Sequence, residues 1–250
     1  LNIYFGSNSF VLKNIIKRFK SENFGCSNAI YTNIINDDIE LLLAAKNKGI
    51  YIVHEVVINP NINQIYLREL KKFPSLASNK NHKNKNKEDK DLIKFNLADK
   101  ILVPSEYIYK EIIKKGLSKN KISIVRPYFP NKNLLEIKTN PKKGRILFVG
   151  QISMLKGIHY FAEACRILRN NKFNYEFIAA GKCFLNCKNS LLNGPKYLGH
   201  LNKDDLMKEY TCSDVFVLPS LSDAFPTAHL EAMAFGLPVI LTNSCGSIVE

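Results

Sequence analysis

The chain has 250 residues, 46% hydrophobic and 23% charged, and a formal net charge of +14. That length and balance support one large domain or two small ones, and exclude a disordered tail, a collagen-like fibre and a disulfide-stapled mini-scaffold. No run of about 18 apolar residues occurs, so no membrane-spanning helix is expected.

The start, Leu1-Asn2-Ile3-Tyr4-Phe5, has neither an initiator Met nor the basic-then-apolar layout of a signal peptide, which reads as a trimmed chain. A helix is expected over 37–48, ending near Gly49, and a short buried strand over 50–53. Residues 80–90 form a low-complexity run of Lys and Asn, read as a solvated loop or an exposed helix start. Ala98-Asp-Lys-Ile-Leu-Val-Pro-Ser105 reads as a strand ended by Pro104. Ser105 is placed to cap a helix with the stripe Tyr107, Ile108, Ile112 and Ile113, stopped by Gly116. A strand follows over 121–125. Pro127 and Pro130 break the pattern, and the polar stretch 131–143 is the best linker.

Beyond the linker, strands are expected over 145–149, 175–180, 196–199, 215–218 and 239–242. Helices are expected from about Lys156 (Ile158, Phe161, Ala162, Cys165 and Leu168 on one face), over 204–211 and over 227–235. Strand–helix–strand at this spacing implies parallel pairing with right-handed crossovers, a Rossmann-like sheet. The linker also divides the charge. Through Lys143 there are 26 basic residues against 13 acidic, and beyond it 10 against 9. A basic half suits nucleic acid, an anionic membrane face or acidic substrates. A Lys-, Asn- and Ile-rich coding bias produces the same excess.

The six cysteines read as buried free thiols of a reducing compartment, Cys183 and Cys187 being the only close pair. The five histidines are scattered and none forms H-E-x-x-H, so no metal site is expected.

In open α/β sheets, ligands bind beyond the carboxyl ends of the strands. Gly150 ends a strand there and lets a ligand approach the backbone. Lys156 stands at the expected start of the next helix, where ammonium and helix N-terminus both favour an anion. The plainer reading is a surface Lys in a βα loop. Asp223 lies in the loop after another strand and Glu231 eight residues on, in a helix with Thr227 as its expected cap. Two acids around one helix N-terminus suit a polyhydroxylated ligand, and the amides between them suit phosphate. A helix-dipole acid, worth about 0.3–1 kcal/mol, accounts for Glu231 but not for the pair. The small polar loop 242–247, containing Gly246, is a weaker source of phosphate-binding amides.

Three of these segments together resemble a known family. Phe148-Val-Gly-Gln-Ile-Ser-Met-Leu-Lys-Gly157 resembles the FVGR-x-x-x-x-KG opening of the C-terminal domain of glycosyltransferase family 4, also called group 1. Asp223-x₇-Glu231, continued by Ala-Met-Ala-Phe-Gly-Leu-Pro-Val-Ile240, resembles its E-x₇-E motif and EAMA-x-GLPVI signature. Residues 98–105 resemble the AD-x-I-x-VPS element of its N-terminal domain. The likeness runs along nearly all of the second part and is looser over about 37–130.

The resemblance implies an α/β chain of GT-B type, two Rossmann-like domains facing across a cleft. The expected division is 1–130 on the acceptor side, 131–143 as linker and 144–250 on the nucleotide-sugar side, with both domains incomplete. It implies a retaining, metal-independent hexosyltransferase with no cofactor. The donor is a nucleotide-diphosphate sugar and the acceptor a glycan, lipid or small molecule. Carried over by position, Lys156 would neutralise the departing diphosphate, Asp223 would touch the donor sugar and Glu231 the ribose hydroxyls. Gly150, Gln151 and Gly246 would line the donor, and so would Ala224, Phe225, Pro226 and Thr227. Gln151 departs from the family's usual Arg and removes one charge from the diphosphate. Asp223 is one methylene shorter than the usual Glu. His54, just after the strand at 50–53, is the expected acceptor-side residue. No Gly-rich loop after a first strand is evident, Phe5-Gly-Ser-Asn-Ser9 being a poor candidate. The expected setting is cytoplasmic, with the basic half against an anionic membrane; nucleic acid is not the expected partner. An inactive GT-B relative or a basic nucleic-acid-binding module is the alternative.

Overall fold

Short runs of Ile, Val, Leu and Phe, each closed by Gly, Pro or a polar residue, form two separate parallel sheets. The computed structural model describes residues 14, 16–19, 21–33, 39–77, 87–126, 137–186 and 188–247. The first sheet has strands β1 (Ala29–Asn33), β2 (Tyr51–Glu55), β3 (Lys100–Val103) and β4 (Ile122–Ile124), side by side in that order and all parallel. Helices α1 (Ile39–Asn47), α2 (Ile62–Lys72), α3 (Lys87–Leu97) and α4 (Glu106–Ile113) lie between and after them. The Ser105 side chain caps α4 as expected, accepting from the Ile108 amide at 3.4 Å.

The second sheet has β5 (Arg145–Val149), β6 (Glu176–Ala180), β7 (Lys196–Gly199), β8 (Val215–Leu218) and β9 (Val239–Leu241). Their order is β7-β6-β5-β8-β9, all parallel. Helices α5 (Ile158–Asn170), α6 (Lys203–Thr211) and α7 (Ala228–Ala234) make the crossovers. The expected α5 stripe is the buried one: Ile158, Phe161, Ala162 and Cys165 are enclosed. The chain runs outward from β5 through β6 to β7, then returns to the other side of β5 as β8. The loops after β5 and β8 therefore flank the point where strand order reverses, the usual ligand crevice of such sheets.

Two elements were not anticipated. β1 is short and polar-ended, and α2 follows a Pro60 turn that hides its start. Yet α2 carries a helical stripe, Ile62, Ile65, Tyr66, Leu70, and its Tyr66 and Leu70, with Phe73 and Leu76 just beyond it, pack into the core of the second half. In return Ala224 of the second half packs into the core of the first. Residues 137–143 are tied to the second half, Asn140 N–H to the Thr211 carbonyl at 2.9 Å and Lys142 N–H to the Cys212 carbonyl at 3.0 Å.

The helix expected from Lys156 begins two residues later. Lys156 ends a 3₁₀ turn, and Gly157 follows in the left-handed region at φ 71°. A side chain there would put its Cβ 1.9 Å from the Pro219 carbonyl oxygen, so only Gly lets the β5 and β8 loops touch. Thr227 precedes α7 but makes no side-chain capping bond, being already helical at φ −83°, ψ −25°. The cysteine reading needs correction. Cys165 and Cys245 are buried free thiols, but Cys26 is exposed and Cys183, in a loop outside any apolar element, is disulfide-bonded. The run Phe5–Ser9, the linker up to residue 136 and most of the 80–90 run lie outside the described residues. Among the described residues, no helix is long and apolar enough to cross a membrane.

Candidate functional site

The β5 and β8 loops are held at fixed separation by backbone bonds. Leu221 N–H reaches the Leu155 carbonyl at 2.8 Å, and Ile152 N–H the Lys182 carbonyl at 2.9 Å in the neighbouring loop after β6. A third strand end joins them: Asp223 N–H bonds to the Ser244 carbonyl at 3.0 Å and Gly246 N–H to the Asp223 carbonyl at 2.9 Å. Backbone groups committed in this way leave the side chains to face the crevice.

The crevice is a cavity of about 620 Å³. The β5 loop contributes Gly150, Gln151, Ser153 and Lys156, and the β8 loop Ser222, Asp223, Ala224, Pro226 and Thr227. Phe184 and Leu185 close one side, and the first half supplies Val57, Ile58, Asn59, Ile62 and Tyr66. The Lys156 ammonium is ion-paired with the Asp223 carboxylate. Both are largely enclosed, the side chains 24% and 11% exposed, so their attraction is screened less than a surface pair's. These are the only charged residues lining the cavity among the described residues. The arrangement offers one cation, one carboxylate and an apolar opposite wall.

Seven of the expected residues converge here: Gly150, Gln151, Lys156, Asp223, Ala224, Pro226 and Thr227. Four do not line the cavity. Glu231 lies on α7, where its carboxylate accepts from the Tyr210 hydroxyl at 2.8 Å. Burial, and then Glu231 itself, push that hydroxyl's pKa up. Phe225 turns toward His229, with ring centroids 6.4 Å apart. The Gly246 amide is spent on Asp223, and its Cα is wedged so closely that a Cβ would lie 2.0 Å from the Ala224 carbonyl. It supports the loop rather than offering an amide.

His54 is the clear correction. It is fully buried, shares a 2.6 Å hydrogen bond with Thr32 Oγ1 and packs on Phe95. Burial, with the nearby Lys94 charge, lowers its pKa to about 4. The strand continues to Glu55, so the side chain of residue 54 points into the layer between sheet and helix instead of beyond the strand end. The true contributors from the first half, Asn59, Ile62 and Tyr66, lie beyond the strand and on α2. The apolar stripe of α2 is the one local signal for Ile62 and Tyr66, and it does not show which surface they meet. Among the described residues no group of three His, Cys, Asp or Glu side chains is placed to hold a metal ion.

Residues 131–250 match the family model described as glycosyl transferases group 1. The amylovoran biosynthesis glycosyltransferase AmsK of Erwinia amylovora is 29% identical over 175 residues, covering 63% of this chain and 42% of its own length. An uncharacterized glycosyltransferase of Methanocaldococcus jannaschii is 35% identical over 117 residues, 42% of this chain and 28% of its own. This chain thus spans less than half of either relative. Among solved structures, the lipopolysaccharide outer core galactosyltransferase WaaB superposes with a TM-score of 0.63 at 15% identity, over 98% of this chain and 65% of that one. Anabaena HepE in complex with UDP and glucose gives 0.64 at 15%, over 99% and 67%. At that identity the likeness establishes the fold: two Rossmann-like units of GT-B type.

Proposed function

With residues 131–250 belonging to the group 1 glycosyl transferases, we propose that this chain is the nucleotide-sugar-binding and catalytic part of a glycosyltransferase. The observation that carries this is the placing of Lys156 and Asp223 in one cavity at the strand-order reversal. A nucleoside diphosphate sugar suits that cavity in size and chemistry. Its diphosphate finds Lys156, and its sugar hydroxyls find the Asp223 carboxylate. As the sugar C1–O bond to the diphosphate breaks, the acceptor hydroxyl oxygen bonds to C1 and its proton passes to the departing phosphate oxygen, while negative charge accumulates on the diphosphate. Lys156 stabilises that growing charge more than the ground state, which is what accelerates the step.

The finer parts of the proposal rest on the family likeness. They are transfer with retention at the anomeric carbon, no metal at the diphosphate, donor on 144–250 and acceptor on 1–130. Glu231 holds the ribose on this reading once Tyr210 shares its carboxylate. Val57, Ile58, Ile62 and Tyr66 support an acceptor that brings a glycan or lipid-linked end against an apolar wall. The basic excess of the first part supports a cytoplasmic site of action at an anionic membrane face.

The test is calorimetric titration and thermal shift with UDP, GDP, ADP and their common sugar conjugates. One nucleotide should raise the melting temperature in proportion to log concentration, and Lys156→Ala should need a correspondingly higher concentration for the same rise. A folded chain that binds none of them overturns the proposal.

A further inference from the structure

The β8 loop is not fixed by its own half alone. Asp223 is flanked by Ser222 and Ala224, and each is held by a side chain from the first half. The Ser105 hydroxyl donates to the Ala224 carbonyl at 2.7 Å, across 119 positions of sequence. The Tyr107 hydroxyl donates to Ser222 Oγ at 3.4 Å, while accepting from Asn59 Nδ2 at 2.8 Å. Ser105 is wholly buried, and Asn59 and Ser222 are nearly so. Gly246 fills the remaining corner: a Cβ on it would lie 2.3 Å from Ser105 Oγ.

We infer that Ser105 and Tyr107 are positioning residues that set the Asp223 loop from the opposite half. This rests on the proposed donor site, and extends it to groups that touch neither sugar nor nucleotide. The chemistry of position 105 supports it. As a cap for α4, any acceptor suffices there, Asn or Asp as well as Ser. Only a group that accepts from the Ile108 amide and also donates to the Ala224 carbonyl does both, and a hydroxyl is the compact way to do it. Removing the donor leaves a carbonyl with only 9% of its residue exposed to seek another partner. The loop then shifts, and Asp223 moves with it. Lys156, on the β5 loop, stays in place.

The role therefore separates the two ends of the donor. The full chain is titrated with UDP and with UDP-glucose. Ser105→Ala should lower the affinity for UDP-glucose relative to UDP by about 3–10-fold, with UDP itself changed by less than about twofold in either direction. Tyr107→Phe should shift the same ratio by a smaller factor, and Ser105→Thr, which keeps the hydroxyl, should restore it. Gly246→Ala, which crowds the same contact without removing a bond partner, should mimic Ser105→Ala. A folded Ser105→Ala chain with an unchanged UDP-glucose to UDP ratio overturns the inference, because a helix cap alone would cost stability and leave the ratio as it was. If Ser105→Ala fails to fold, an unchanged ratio in Tyr107→Phe overturns it equally. If the wild-type chain prefers GDP or ADP, the ratio is taken with that nucleotide and its glucose conjugate. If it binds none of these probes, the failure lies with the proposed donor site, and this inference goes with it.

Discussion

The Glu69 carboxylate on α2 meets His159 Nε2 on α5 at 3.0 Å, joining the two halves at a buried point. The Tyr160 hydroxyl donates to the same carboxylate oxygen at 2.5 Å, and Lys72 holds the other oxygen at 3.0 Å. Phe73 caps the cluster, its ring centroid 4.7 Å from His159. Burial alone would push the Glu69 carboxyl up, but hydrogen bonds from Tyr160, His159 and Lys72 outweigh it and hold the pKa low. Burial likewise lowers the His159 pKa, against the pull of Glu69, so the imidazole is neutral near pH 7 and donates through Nε2. This contact fixes the angle at which α2 delivers Ile62 and Tyr66 to the cavity.

Glu69→Ala should therefore destabilise the chain by roughly 2–4 kcal/mol, because the buried His159 and the partly buried Tyr160 hydroxyl lose their acceptor at once. Glu69→Gln keeps one acceptor oxygen and should cost about half as much. Urea unfolding with fitted midpoints measures both, and equal midpoints for the two variants would show that the carboxylate oxygens do not matter.

Acid should weaken the fold before any carboxylate titrates. His54 has a folded pKa of about 4 against an ordinary 6.5. Between those values the unfolded chain binds a proton that the folded chain refuses. Stability is full above about pH 6.5 and falls as pH drops toward about 4, by about 3 kcal/mol from this residue. His159 acts with the same sign below its ordinary value, and Glu69 adds to the loss as pH falls below the ordinary carboxylate value and through its own lowered one. Unfolding free energies at pH 7.5, 6 and 5 should slope downward for the wild type and less steeply for His54→Gln. Parallel slopes would show that His54 is not the titrating group.

Gly157 and Gly236 give a controlled comparison of strain with contact. Both are left-handed, at φ 71° and 75°. Among the described residues nothing lies within 4 Å of a Cβ on Gly236, whereas on Gly157 it would sit 1.9 Å from the Pro219 carbonyl oxygen. Gly236→Ala should cost about 1 kcal/mol, the backbone term alone. Gly157→Ala should cost at least about 2 kcal/mol more and should also weaken nucleotide binding, since it forces the β5 and β8 loops apart. Equal stability losses would mean that the loops yield without resistance.

The strands of the second half were legible because each apolar run is closed by Gly, Pro or a polar residue, and α5 because its apolar residues fall on one periodic face. Gly150, Lys156 and Asp223 were legible because strand ends in a parallel sheet point to one edge, and Gln151, Ala224, Pro226 and Thr227 only through the family resemblance. What the sequence concealed is how the halves meet. The α2 stripe buries itself in the other half's core, so its partner is out of reach of any local pattern. The pairing of Ser105 with Ala224 is likewise a property of two loops more than a hundred residues apart. His54 was misplaced because β2 runs two residues past the expected end, to Glu55, which turns the side chain from the strand end into the core, where alternation along the strand decides its direction.

Lys156 and Asp223 should respond to mutation with opposite signs toward a bare nucleotide. Their ion pair is partly enclosed, so a diphosphate must compete with Asp223 for the ammonium. Lys156→Ala removes a charge-assisted bond and should weaken UDP about 10–100-fold, while leaving uridine unaffected. Asp223→Asn frees the ammonium and removes a negative charge beside the phosphates. It should tighten UDP by about 2–5-fold. The same variant should weaken UDP-glucose relative to UDP, because the sugar hydroxyls lose their carboxylate acceptor. Isothermal titration at low and high salt reads all three changes, and the gain in UDP affinity should shrink as salt screens the pair. Weaker binding of UDP to Asp223→Asn, in a chain that still folds, would mean that the carboxylate orders the loop for the diphosphate instead of competing with it.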